Sequence, residues 1–256
     1  MTATTTPRMY NANRDQVKRL TRVYVLDILQ TIAVALAIGF LISGILWVVI
    51  NALEVENGSS TTTITLPEGE GTTTVVVFFS WLGIPLIGAV IAAFVHAIVI
   101  GSGYLRMPIA NGATRRNVAI STSIAAGVGA LVVGGYAMAV VLLERAAGLP
   151  PSESVFQHEW MGESLGENAW LVLVGTVGFF ALLLAGHAVG AMFVRYVWIV
   201  GVVVLLVLML ALPLLAERFG WGWYQWLFTF GMVQHLILVV LAAGAYWFVL
   251  RRLHVP

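Results

Sequence analysis

A chain of 256 residues with 60% hydrophobic and only 10% charged side chains, and a mean hydropathy of +0.94, has too little polar surface to cover a soluble globule. It reads as a polytopic membrane protein, and a net charge of +1 with no pooled basic domain argues against a nucleic-acid partner. Cysteine is absent, which removes disulfides, thiolate metal sites, thiol nucleophiles and iron–sulfur clusters.

Residues 1–12 (MTATTTPRMYNA) are Thr-rich and lack an apolar period, so they are expected to form a disordered tail. From Asn13 the pattern changes. Val17, Leu20, Tyr24 and Ile28 recur at helical spacing, while Arg14, Lys18 and Arg22 fall four apart on another face, with Arg19 beside them. This predicts an amphipathic interfacial helix over 13–30, with Asn13 and Gln16 as a capping pair.

A membrane crossing needs roughly 20 apolar residues, and the rest of the chain, 31–256, holds six such stretches. They are 31–50, 75–100, 118–143, a 169–216 run long enough for two spans hinged at Arg195 and Tyr196, and 226–250. The predicted fold is therefore an all-α membrane protein with six transmembrane helices. Eleven of the 13 basic residues fall in the amino-terminal segment, the second-to-third connection, the Arg195 hinge and the carboxyl end, whereas ten of the 12 acidic residues fall on the opposite side. The positive-inside rule then makes both termini and the central connection cytoplasmic.

Two outer connections have a pattern of their own. The runs 61–66 (TTTITL) and 72–77 (TTTVVV), separated by PEGEG, predict a β-hairpin. Residues 144–168 carry Pro150–Pro151 and an acidic stretch suited to one short surface helix, and Trp221, Trp223, Tyr224 and Trp226 suit an interfacial aromatic belt. No internal repeat is visible, which weakens carrier folds built from duplicated halves.

The chain's central feature is the polar island 101–117, GSGYLRMPIANGATRRN. Pro108, with fixed φ and no N–H, suits the first turn of a short helix over Met107–Asn111, and Gly112 can take the left-handed conformation that ends it. Thr114 then caps the next helix, with Asn117 three residues on, and Arg106, Arg115 and Arg116 edge the turn.

Chemistry-bearing motifs are few. The only lysine is Lys18, so no Gly-rich phosphate loop ending in Lys–Ser or Lys–Thr exists. HEWMG at 158–162 opens like a zinc-protease signature but has Gly162 where the second His is needed, so no metal site is assigned. The polar groups inside spans are His96, His187, Gln234 and His235, with Asp27 and Gln30 near the cytoplasmic end of the first span. Costly intramembrane polar groups tend to line cavities, which makes the first four the candidate substrate path. Bonding to a helix carbonyl or hydroxyl is the competing role for each. Gly186 and Gly190 flank His187 at the spacing of close helix packing, and no carboxylate lies in the middle of a span.

The order of parts, and the stretch Ala110, Asn111, Gly112, Ala113, Thr114, Arg115, Arg116 in particular, resembles permease subunits of type-two-class ATP-binding-cassette exporters, many of which carry A-N-G-x-[ST]-R-[RK] between their second and third spans. The resemblance implies a non-enzymatic half-transporter in the cell inner (plasma) membrane, pairing with a second permease copy as a homodimer or heterodimer. It implies no cofactor in this chain, with ATP and Mg bound by a separate ATPase subunit. Met107–Asn111 would be the cytoplasmic coupling helix, and Arg14, Lys18, Arg19 and Arg22 a second contact. The export cargo implied is an amphiphilic small molecule, lipid or peptide. The alternatives are a structural or regulatory membrane subunit and an ion-coupled secondary carrier.

Overall fold

The computed structural model describes residues 7–52, 61–68, 71–78, 83–146, 164–195, 218 and 231–252. Residues 1–6, 196–217 with the second half of the 169–216 run, the acidic stretch 147–163 and the aromatic belt 221–226 lie outside the described residues. The described elements are helices α1 (Pro7–Ala52), α2 (Gly83–Val99), α3 (Arg106–Ala110), α4 (Arg115–Ala146), α5 (Leu165–Arg195) and α6 (Met232–Arg251), a π-helical turn (Ile100–Tyr104), and strands β1 (Thr61–Glu68) and β2 (Gly71–Phe78).

Five helical stretches are long and apolar enough to cross a membrane: Arg14–Leu46, Gly83–Ala110, Arg115–Leu143, Leu165–Val194 and Met232–Arg251. Large apolar side chains such as Val34, Leu41, Ile45, Ile91, Leu131, Leu173, Val240 and Phe248 are exposed along them. Lipid, not water, suits such surfaces. This is a membrane protein built from transmembrane helices.

Three expectations need correction. First, α1 is one continuous 46-residue helix, where the sequence predicts a tail to residue 12, an interfacial helix over 13–30 and a separate span from 31. No Gly or Pro lies between residues 8 and 38 to break it, and Pro7 suits the first helical position because its missing N–H would have no partner there. Asn13 and Gln16 are consequently interior residues and not a cap. Second, residues 75–78 belong to β2, and the second span begins at Gly83. Third, residues 101–104 are helical, continuing α2 through the π turn, so the central connection runs only over 105–114 and is shorter than its polarity suggests.

The hairpin has the predicted antiparallel form. Glu68 faces Gly71 and the register runs to Thr61 opposite Phe78. A two-residue connection makes Glu68–Gly71 the closing hydrogen-bonded pair, which puts Pro67 opposite Thr72 in a pair whose amides face outward. That is where a residue without an N–H does least harm.

The chain divides into two compact units. The first comprises 1–31, 92–132 and 174–256. Its interior is formed by Tyr24 and Ile28 of α1, Ala93 and Ala97 of α2, Val118, Ala125 and Ala126 of α4, Leu183, Leu184 and Ala188 of α5, and Tyr246 and Leu250 of α6, all buried. The second comprises 32–91 and 133–173. There, α1 and α2 meet where Gly39 admits Pro85, and Phe40 lies edge-on to Tyr136 with ring centroids 6.2 Å apart. In the membrane such contacts rest on close van der Waals fit, because lipid tails are as apolar as the side chains they would replace.

Candidate functional site

The central turn is held by a complete Schellman motif. Gly112 has φ +85°, the amide of Gly112 donates to the Ile109 carbonyl at 3.1 Å, and that of Ala113 donates to the Pro108 carbonyl at 2.8 Å. These two bonds satisfy carbonyls that the end of α3 would otherwise leave open. Thr114 then caps α4, its Oγ1 accepting from the Asn117 amide at 3.1 Å. The roles expected of Pro108, Gly112, Thr114 and Asn117 are those observed, while α3 itself spans Arg106–Ala110.

Side chains of α1 and α4, with a backbone carbonyl of α6, fix this turn. Gln16 of α1 donates from Nε2 to the Gly112 carbonyl at 3.5 Å and accepts at Oε1 from Asn117 Nδ2 at 2.7 Å. One turn further along α4, the Ser121 hydroxyl donates to the Val17 carbonyl at 3.2 Å. Arg115 donates from a guanidinium nitrogen to the Arg251 carbonyl at 3.0 Å, near the end of α6. The start of α1, the central turn and the end of α6 thus meet at one end of the first unit. Arg115 is tied to that framework, whereas Arg116, Asn111 and Gly112 are exposed. Arg14, Lys18, Arg19 and Arg22 are exposed on α1 as well, flanking Gln16. Sequence reasoning missed Gln16, because only the fold brings it to a residue 96 positions away.

The interior of this unit is crossed by polar side chains. Small residues bring α2 and α5 into backbone contact. A Cβ on Gly101 would lie 2.5 Å from the His187 carbonyl, and one on Gly190 would lie 2.8 Å from Gly101 Cα and from the Ser102 nitrogen. One turn away, a Cβ on Gly186 would lie 3.0 Å from that of Ala97. The close packing expected around His187 is therefore present, with α2 as the partner.

The four candidate path residues occupy two levels. His187 is only 3% exposed, its Nδ1–H donates to the Leu183 carbonyl at 2.8 Å, and its ring lies 5.6 Å from that of Tyr246. Tyr246 in turn donates to Thr122 Oγ1 at 2.9 Å, since the Thr122 hydroxyl hydrogen is directed to backbone carbonyls of α4. His96 faces α1, bonded to Thr31 and with its Nε2 3.6 Å from the Asp27 carboxylate. His235 is remote from these along its helix; its Nδ1–H donates to the Gly231 carbonyl at 2.7 Å, and its ring fills the space over Gly178 of α5. Gln234 lies against Gly231, at the same end of α6. Thus His96 and His187 are gathered in one region and Gln234 and His235 in another. No cluster of three metal-ligating side chains occurs among the described residues.

A reciprocal capping box opens α5: the Ser164 amide donates to Glu167 Oε2 and the Glu167 amide donates to Ser164 Oγ, each at 3.1 Å. The spacing S-x-x-E at 164–167 is a signal from which the sequence reading drew no boundary.

Comparison with models of known protein families, with curated proteins and with solved structures gives no match.

Proposed function

We propose that this chain is the permease subunit of an ATP-binding-cassette exporter, moving an amphiphilic small molecule, lipid or peptide through a membrane with work supplied by a separate ATPase that binds ATP and Mg. In this reading the chain has no hydrolytic activity of its own. It resides in the inner (plasma) membrane with both termini cytoplasmic, and a second permease copy completes the path. The observation that carries the reading is the locked turn at 106–114. A coupling element has to be stiff, exposed at its tip and tied to several helices, and this one combines a Schellman stop, a Thr cap and bonds to α1 and α6. Arg116 and Asn111 at its tip are free in space to meet carboxylates of a partner by charge-assisted hydrogen bonds.

Helix direction supports six crossings. Gly178 of α5 lies by His235 of α6, and His187 lies by Tyr246, so the two helices run in the same sense. The second reading, an ion-coupled secondary carrier, is favoured by one observation, the Asp27–His96 pair inside the first and second spans.

Affinity purification from native membranes separates the readings. The permease brings down an ATP-hydrolysing subunit, and Arg116→Glu, which leaves the Arg115–Arg251 bond in place, removes it. Co-purification unchanged by Arg116→Glu and by the double variant Arg115→Glu, Arg116→Glu refutes the coupling role. Transport in vesicles holding an ion gradient but no ATP supports the carrier instead.

A further inference from the structure

Asp27 of α1 and His96 of α2 both lie in helical stretches that suit the membrane. The His96 Nε2 is 3.6 Å from Asp27 Oδ2, and its Nδ1 is 3.1 Å from Thr31 Oγ1. Thr31 decides which ring nitrogen carries hydrogen. Its hydroxyl has one hydrogen, and that hydrogen is donated back to the Asp27 carbonyl at 3.0 Å. Toward His96 it can only accept, so Nδ1 is the protonated nitrogen of the ring. A neutral His96 therefore presents a lone pair at Nε2, and what it faces is a carboxylate oxygen, also a pure acceptor.

Two acceptors facing each other across a membrane-embedded contact lack the hydrogen that would join them, and the site as a whole carries one negative charge. One added proton removes both defects. It supplies a hydrogen between Nε2 and Oδ2, and it brings the pair to zero net charge, which apolar surroundings favour over a single buried ion. We infer that Asp27 and His96, oriented by Thr31, form a proton-binding site that closes the contact between α1 and α2. The proton comes from the aqueous phase through Asp27, which is 43% exposed, while the 14% exposed His96 forms the inner wall. Whether it sits on nitrogen or oxygen, it belongs to the pair.

The surrounding charges agree with a single proton. Asp27 has no other ion-pair partner among the described residues. From α5, His187 has its Nδ1–H committed to the Leu183 carbonyl. Among the described residues, Tyr24, one turn before Asp27 on α1, and Tyr246 of α6 are the other buried titratable side chains of this interior, and α4 contributes the uncharged Asn117, Ser121 and Thr122. Deprotonation leaves the two lone pairs opposed and loosens α1 from α2 at this level. The inference stands on Asp27, Thr31 and His96 and holds whether or not the chain works with an ATPase.

The test is magnetic resonance on the full chain in lipid nanodiscs, with 15N-labelled histidine and 13C-labelled aspartate, titrated from acid to alkaline pH. The step in which His96 loses its proton should also move the Asp27 carboxyl signal, and Asp27→Asn, which keeps the shape of the side chain, should weaken proton binding at His96 at least tenfold. Thr31→Val leaves both charges in place but frees the ring, and should move the hydrogen of neutral His96 from Nδ1 to Nε2. The inference is overturned if the Asp27 signal does not respond to the His96 step, if Asp27→Asn leaves His96 unchanged, or if Thr31→Val leaves the tautomer unchanged.

Discussion

Replacing Gly190 by Ala adds one methyl group where α2 and α5 touch backbone to backbone. That methyl would lie 2.8 Å from Gly101 Cα and 2.8 Å from the Ser102 nitrogen, and closer still to the Ile98 carbonyl oxygen. Comfortable contact between such atoms begins at about 3.5 Å, so the helices must part by roughly 0.7 Å or more, and a gap of that size forfeits about a quarter to a half of each dispersion contact along the seam. Every obstructing atom is backbone, so no rotamer change relieves the clash. Overpacking of this kind costs about 1–3 kcal/mol, or about a five- to 150-fold shift of the unfolding equilibrium. The control is Gly135→Ala in α4, where the new methyl meets nothing within 4 Å. There the change should stabilise by up to about 1 kcal/mol through helix propensity alone. Reversible unfolding by dodecyl sulfate in mixed micelles reads both. Equal shifts for the two variants, or a neutral Gly190→Ala, would refute the packing argument.

Three further outcomes follow from the hydrogen-bond geometry. Thr114→Ala should lower stability by about 1 kcal/mol and Thr114→Ser by much less, read by thermal melting in detergent, because only the cap oxygen on the Asn117 amide is at stake. Thr122→Val strands the buried Tyr246 hydroxyl and should cost about 1–3 kcal/mol, whereas Tyr246→Phe leaves Thr122 bonded to its own helix and should cost about 0.5–1.5 kcal/mol. The same melts check the order of these two variants. A double-mutant cycle on Gln16→Ala and Asn117→Ala should return a coupling of about 0.5–1.5 kcal/mol, while the pair Gln16 and Thr122 should be additive.

Local chemistry made much of the central turn legible. Pro108, Gly112 and Thr114 each have one dominant conformational preference, so their spacing was enough to place the stop and the cap. The hairpin was legible for the same reason, and so was the tight packing at Gly186 and Gly190. The partners were not legible, because they come from contacts across long stretches of chain: Asp27 and His96 are 69 residues apart, and Thr122 and Tyr246 are 124 apart. Polarity also misled at 101–104. Gly101, Ser102 and Gly103 suggest a loop, yet small residues are what a helix crossing at backbone distance requires, and the π turn keeps them in the helix. At the amino terminus, the difference in composition between the amphipathic and apolar segments suggests two helices, although nothing in the sequence breaks the backbone between them.

In the proposed function the turn at 106–114 meets an energy-supplying partner on the cytoplasmic side. The direct measurement is to put a photo-crosslinking amino acid in place of the exposed Asn111 and irradiate intact cells. An adduct with an ATP-hydrolysing subunit, abolished by Arg116→Glu, is the result expected. Adducts with lipid alone, or reaction of a cysteine placed at residue 111 with an impermeant reagent added outside the cell, would contradict it.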